Sequence, residues 1–307
     1  MQVTVAIPTY NRCGYLRQTL EGIARQDFPR GDFEVIVVDN NSTDGTREMV
    51  GAWGAVVPGL RLVVETKQGL DHARNRAVAE AAGDIVLFAD DDILVEPDWV
   101  RQMAAPFAAD GRGTIGAVGG EVIPVFPDGL PSWVSEWHSP LGFRPDAGPL
   151  APDQSPMGAN LAFRRSVFAG LGLFHTELDR AAGSFFSGGD AEMVRRVRAA
   201  GLQVWFAPAA AVRHQMPAGR TTFRYACRHA FDSARSRVID RACRPGAAGY
   251  LLTRLGANAA KAAGFGLAAA LGFLICPAAD FPKKSLVRAW RSCGYLYQIP
   301  RSLCRKT

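Results

Sequence analysis

Apolar and polar positions alternate in two different periods through the first ninety residues. Val3–Ile7, Phe33–Asp39, Leu60–Glu65 and Asp84–Ala89 are short runs of β-branched and large apolar side chains without helical spacing, and read as buried strands. Gly14–Gln26, Thr43–Val50 and Leu70–Ala82 lie between them and carry the helical period. Strands alternating with helices of this length predict an α/β fold, a mostly parallel sheet flanked by helices. Such sheets bind ligands beyond the carboxyl ends of their strands. The first strand ends in Pro8-Thr-Tyr-Asn-Arg12, the second in Asp39–Thr46 and the fourth in Asp90-Asp91-Asp92. Three polar loops on one edge fit one site better than three unrelated turns.

Composition narrows this picture. A chain of 307 residues that is 48% hydrophobic can bury a large core and exceeds the usual size of one domain. Its six cysteines are scattered without CxxC spacing, which favours reduced thiols over disulfides or zinc. The N-terminus enters a strand at once, so no secretory signal is expected. The first loop opens on a proline instead of a glycine-rich turn or GxxxxGK[ST], which sets aside dinucleotide-binding and P-loop folds.

Three carboxylates at a strand end repel one another and raise their own pKa values, and a divalent cation removes that conflict. Hard oxygen ligands suit Mg²⁺ or Mn²⁺ and leave positions open for phosphates. Two plainer readings compete: a cap for a helix from Ile93 onward, with Glu96 and Asp98 in its first turn, or a solvated acidic turn.

Taken together, the motifs resemble those of the inverting family 2 glycosyltransferases, which have the GT-A nucleotide-diphospho-sugar transferase fold. The resemblance runs from Val3 to about His214. It is carried by residues 7–12, residues 37–46, Gly69 with Ala73-Arg-Asn75, Gly83-Asp84, residues 89–92, Gly158-Ala-Asn160 with Arg164-Arg165, and Gly189-Asp190 with Arg196. It implies a nucleotide-sugar donor, a divalent cation and inversion at the anomeric carbon. By the same resemblance Pro8, Thr9, Asn11 and Arg12 border the nucleotide, Asp39 accepts from uracil or ribose, and Arg74 lies near the donor. On this resemblance Asp92 is the expected metal ligand, Asp90 is expected to contact ribose or the metal, Asp91 leans either way, and His214 is a further metal or diphosphate candidate. Local chemistry offers other roles: Asn11 sits where a helix cap belongs, Asp44 reads as a turn residue, Arg74 as a solvated helix charge and His214 as a structural histidine near a strand end, while Asp71 has no role assigned.

Inversion by single displacement needs a carboxylate to take the proton of the acceptor hydroxyl. The resemblance places it at Asp190, with Glu192 the runner-up, although Gly189 stands where the family often has Glu. The plainer reading is that Asp190 caps a helix Ala191–Ala200 that stops at Gly201. Trp133, Trp137 and His138, in the long Pro/Gly-rich segment 124–156, are candidates for an acceptor wall or lid, or for core packing.

The charge is split. Residues 213–307 hold 17 Lys/Arg against 3 Asp/Glu, a net +14, and the remainder is −8. Arg220, Arg224, Arg228 and Arg235 share a helical face beside a stripe of Phe223, Cys227, Phe231, Ala234 and Val238, which reads as a basic amphipathic membrane-surface helix. Residues 262–279 are uncharged, but 7 Ala and 3 Gly make them marginal as a transmembrane span. Basic residues on both sides favour a helix in the interface or a re-entrant hairpin over a crossing, and a packed hairpin competes with insertion. No recognition fold for nucleic acid is present. The expected organisation is a catalytic domain over 1–214, a basic amphipathic helix over 215–246 and an apolar helical tail over 247–307. The expected partners are a nucleotide sugar, a lipid-linked or saccharide acceptor and an anionic membrane surface, on the cytoplasmic face of an inner membrane, in surface polysaccharide assembly. A nucleotidyltransferase-like or degenerate nucleotide-sugar-binding protein is the alternative.

Overall fold

A computed structural model describes the chain except residues 30, 58, 127–128, 130, 133–145, 179–187, 245 and 305–307. Trp133, Trp137 and His138 therefore lie outside the described residues. Two compact units emerge: residues 1–125, 140–176 and 189–215 form the first, and residues 126–139, 177–188 and 216–307 the second.

In the first unit β1 (Val3–Thr9), β2 (Phe33–Asp39), β3 (Leu60–Val64) and β4 (Ile85–Ala89) alternate with α1 (Cys13–Ala24), α2 (Thr46–Trp53) and α3 (Leu70–Glu80). These four strands are all parallel, in the order β3-β2-β1-β4. The sheet becomes mixed beyond β4. There β5 (Ile93–Val95), α4 (Trp99–Ala109), β6 (Ile115–Val125), β7 (Gly148–Pro149), β8 (Asn160–Arg164), α5 (Arg165–Leu171), α6 (Gly189–Ala199) and β9 (Gln203–Gln215) complete the unit. Antiparallel β8 sits between β4 and β6, and β9 pairs with β6, β5 and β7.

Alternate side chains of a strand point to opposite faces. Val3, Val5 and Ile7 accordingly join Leu16, Leu20 and Trp99 in one buried layer, while Ala6 joins Ile36, Phe88 and Phe163 in the other. Phe88, Phe163 and Phe174 meet edge to face with centroids 5.3–6.2 Å apart. Phe88→Ala at the centre of that group should cost about 3–5 kcal/mol.

The helix considered from Ile93 onward does not form. Ile93, Leu94 and Val95 pair antiparallel with His214, Arg213 and Val212, and the helix starts at Trp99. The Asp triplet therefore caps no helix. Thr19, fully buried on α1, fastens this turn by donating to the carbonyls of Asp91 (3.0 Å) and Ile93 (2.9 Å). Nor does Asn11 cap α1, because φ is +53° there and its side chain turns to the next loop.

The second unit holds α7 (Phe223–Ala242), α8 (Ala247–Ile275) and α9 (Asp280–Cys304). Cys227 and Val238 of the α7 stripe are buried in clusters with Val287 and Ile299 of α9, Ala234 is buried beside Gly294, and Phe231 meets Trp290 and Tyr297. The stripe expected to face lipid is thus covered by the neighbouring helix. The two backbones approach at Gly294, where a Cβ would stand 2.3 Å from the Phe231 carbonyl oxygen. Burial pushes the Cys227 thiol up to about 11, which keeps it protonated and inert. Exposed apolar surface lies on α8 instead. This helix is long and apolar enough to cross a membrane, with mean hydropathy 1.4 over a window that is 11% buried.

Candidate active site

The three loops read from the sequence do meet beyond the strand ends. Asn11 Oδ1 accepts from the Thr43 amide at 2.7 Å, and its own amide donates to the Ser42 hydroxyl at 2.9 Å, so the first loop is latched to the second. Asp44 accepts from the Cys13 amide at 3.1 Å and from Thr46, which makes it the turn residue its Asp-Gly context suggests. These hydrogen bonds outweigh its partial desolvation and hold its carboxyl below the usual range. Pro8 lies within β1, opposite Val38. Asp39 is fully buried; Oδ1 accepts from the Ser42 amide at 2.9 Å and Oδ2 from Arg47 Nε at 2.6 Å.

Each carboxylate of the triplet has a different environment. Asp91 is buried, accepting from Thr9 Oγ1 at 2.7 Å and Arg12 at 3.1 Å. Burial, reinforced by Asp92, pushes its carboxyl up to about 6 against the opposing pull of Arg12. Arg12 also donates to Asp92 Oδ2. Burial works against the Arg12 charge, yet Asp91 and Asp92 outweigh it and raise the guanidinium above its ordinary value.

The other Asp92 oxygen faces His214 Nε2 at 2.8 Å, and Asp90 Oδ2 lies 3.7 Å from the same nitrogen. One ligand atom each from Asp90, Asp92 and His214 falls within 4.8 Å of the others. The close approach to Asp92 lacks the angle of a hydrogen bond, so among the described residues the buried His214 Nε2 is left without one. Two hard carboxylates, buried Asp92 and the more exposed Asp90, and one imidazole nitrogen form a donor set that fits Mn²⁺ or Mg²⁺. His214 reaches this place because β9 runs on past Ala207 to Gln215 and pairs with β5.

A second group of charges surrounds Arg74. Arg74 is buried, donates to Asp71 Oδ1 at 3.0 Å and stacks over the Phe174 ring at 5.5 Å. Desolvation opposes its charge, but Asp71, Asp190 and Asp90 outweigh that and hold it above the ordinary arginine value. Asp190 lies in the first turn of α6, where Oδ2 accepts from the Gly158 amide at 2.9 Å and Oδ1 from the Ala191 amide at 2.8 Å. Glu192 is committed elsewhere: both its oxygens accept from Arg196, which also binds the carbonyls of Leu171, Gly172 and Leu173.

Sequence reasoning passed over Thr19 and Arg47 and gave Asp71 no role. The signal for Thr19 was available, since it is a hydroxyl on the apolar face that holds Leu16, Leu20 and Ile23. Arg47 carried none, because its partner Asp39 lies on another element; Asp71 carried the i,i+3 spacing to Arg74 but no sign of Gly189.

A mixed sheet with an acidic, histidine-flanked strand end defines a GT-A-type site, and the comparisons agree. The glycosyl transferase family 2 model matches residues 4–172, and the chain belongs to that family, with a glycosyltransferase catalytic domain. The glycosyltransferase AglE of Haloferax volcanii is 28% identical over 206 residues, 67% of this chain and 64% of that protein. The glucosyl-dolichyl phosphate glucuronosyltransferase of the same organism is 26% identical over 229 residues, 73% of this chain and 72% of that protein. In fold, the mannosyltransferase PcManGT of Pyrobaculum calidifontis, solved with GDP-Man and Mn²⁺, superposes with a TM-score of 0.60 at 23% identity, covering 96% of this chain and 87% of its own.

Proposed function

We propose that the protein transfers a sugar, with inversion, from a nucleotide-diphosphate donor, most simply a UDP-sugar, to a hydroxyl of a lipid-linked or saccharide acceptor. The observation that carries this reading is the cluster of ligand atoms from Asp90, Asp92 and His214 at the strand end, together with the carboxylate of Asp190 held by the Gly158 amide. A metal-side cluster and a carboxylate base are what a single displacement requires at its two ends.

Asp92, Asp90 and His214 would hold Mg²⁺ or Mn²⁺, which supplies positive charge against the departing diphosphate. Pro8, Thr9, Asn11, Arg12, Asp39 and Asp91 line or brace the donor end, with Asp39 and Asp91 held in place by internal partners. At the acceptor end the Asp190 carboxylate takes the hydroxyl proton. The acceptor oxygen then forms its bond to the anomeric carbon as the bond from that carbon to the phosphate oxygen breaks. The hydrogen bonds from Gly158 and Ala191 fix the Asp190 carboxyl without engaging an acid or a cation directly. Glu192, tied to Arg196, is the less suitable base.

The helical unit supports placement at a membrane. Leu267, Leu271 and Leu274 of α8 are 63%, 48% and 81% exposed, and basic residues lie on both sides of the apolar run. That arrangement fits attachment to an anionic cytoplasmic leaflet of an inner membrane, where a lipid-borne acceptor would be met in surface polysaccharide assembly. A lipid-phosphate acceptor also appears in the name of the glucuronosyltransferase relative.

The test is hydrolysis and transfer with a panel of UDP- and GDP-sugars, with and without Mn²⁺. Metal-dependent release of nucleoside diphosphate supports the proposal, and tight nucleotide-sugar binding with no turnover on any acceptor would overturn it.

A further inference from the structure

Gly189 begins α6 one residue before Asp190, and its nearest neighbour in space is a carboxylate from a different element. A Cβ on Gly189 would stand 2.2 Å from Oδ2, 2.8 Å from Cγ and 2.9 Å from Oδ1 of Asp71, in the first turn of α3. Gly188 has a left-handed φ of +136°, but Gly189 does not, so its backbone makes no demand for glycine. The demand comes from Asp71.

Asp71 is 2% exposed, and a buried carboxylate is costly unless it is paired. Arg74 provides the pairing at 3.0 Å. The other arm of Arg74 lies near Asp190: Arg74 Nη2 and Asp190 Oδ2 are 2.6 and 2.7 Å from where a Cβ on Gly158 would stand. Two glycines, 158 and 189, thus clear the space for one chain of groups, Asp71 to Arg74 to Asp190.

We propose that Asp71 is a positioning residue for the transfer, a carboxylate lent by α3 to the helix of the base. It divides the attention of Arg74. With Asp71 ionised, one arm of the guanidinium is anchored away from Asp190, and the base stays available to the acceptor hydroxyl. With that anchor gone, a buried cation turns to the nearest remaining anion, because an uncompensated buried charge is strongly unfavourable. Asp190 would then be tied into an ion pair. The inference rests on Asp190 as base, and it makes a further claim about position: the carboxylate beside the base is interchangeable between residues 71 and 189, since the two share one volume.

The experiment uses the full-length protein with Mn²⁺ and whichever of UDP-glucose, UDP-N-acetylglucosamine and GDP-mannose it turns over fastest. Asp71→Asn should lower kcat on the order of 10- to 10²-fold, the scale of a misplaced catalytic group. KM for the donor should stay within about twofold, because the lost interaction serves the transition state. Gly189→Glu alone should be impaired by collision with Asp71. The double variant Asp71→Ser with Gly189→Glu should recover most of the lost kcat. A crystal structure of Asp71→Asn should show the Arg74 guanidinium rotated toward Asp190. An unchanged kcat in Asp71→Asn, no rescue in the double variant, or an unmoved Arg74 would overturn the proposal. Asp190→Asn is assayed alongside: if it retains transfer, the base assignment fails, while the Arg74 orientation still decides the claim about Asp71.

Discussion

Asp190 and Gly158, 32 residues apart, are joined by a 2.9 Å hydrogen bond from the glycine amide to the aspartate carboxylate. That bond fixes the carboxylate from the backbone of one segment while α6 carries its Cα. Replacing the charge while keeping the shape should isolate its chemical role. Asp190→Asn should leave donor and metal affinity close to wild type by calorimetry, while kcat for transfer falls on the order of 10²- to 10⁴-fold. A parallel loss of donor affinity would make Asp190 a binding residue. Glu192→Gln should act differently, lowering the melting temperature more than the rate, because its partner Arg196 braces three carbonyls.

Asp92 lies at the centre of the donor-atom cluster, so Asp92→Asn should weaken Mn²⁺ binding and cost on the order of 10²-fold or more in turnover, as loss of an electrostatic stabiliser does elsewhere. His214→Ala should reduce Mn²⁺ affinity with a smaller loss, since both carboxylates remain. Isothermal titration with MnCl₂ reads both effects. Wild-type rates for Asp92→Asn in the presence of a chelator would sink the assignment.

Leu267, Leu271 and Leu274 fall at i, i+4 and i+7 of α8, one exposed apolar face. Each leucine leaving water for hydrocarbon contributes roughly 1.5–3 kcal/mol, so changing all three to Gln should weaken vesicle binding by at least on the order of 10²-fold. Cosedimentation with phosphatidylglycerol-containing vesicles measures it. Salt should release the wild-type protein only in part, because ions screen the basic residues and not the apolar face. Point changes are preferable to deletion of residues 247–307, which would strip α9 from the α7 stripe.

Asp110 ends α4 and accepts from the Ile115 amide at 2.6 Å, Thr114 Oγ1 at 3.0 Å and Arg164 at 3.0 Å, and these contacts hold its carboxyl well below the usual range despite desolvation. A carboxyl depressed in the folded state adds stability above its unfolded pKa, and that contribution fades as the pH falls toward the folded value. Asp110→Asn should therefore melt earlier than wild type at pH 7, with the gap closing as the pH drops below about 4, the unfolded carboxylate value. Melting curves across pH 3–7 test this, and a gap independent of pH would assign the loss to packing alone.

Much of this arrangement was legible because it is local. Strand runs such as Phe33–Asp39 announce themselves by composition, and the loop that follows each one is polar for a reason the sheet supplies. What escaped notice depends on neighbours distant in sequence. Ile93–Val95 is too short for its period to show, and is a strand only because β9 offers edge hydrogen bonds. The α7 stripe reads equally well as lipid-facing or helix-facing, and only the small side of α9 at Gly294 decides. Asp71 looks like an ordinary first-turn acid until Gly189 is found against it.

The pairing of β5 with β9 also sets the sign of charge at the strand end. His214 lies opposite Ile93, and Arg213 precedes it opposite Leu94. Side chains alternate in direction, so a slip by one residue would turn the imidazole to the other face of the sheet and bring a permanent cation into its place. A guanidinium cannot give up its proton to become a ligand. The carboxylates of Asp90 and Asp92 would then face a fixed positive charge in place of the imidazole. The register of β9, set by three pairs with β5 and by its longer ladder with β6, therefore decides which side chain meets the carboxylates.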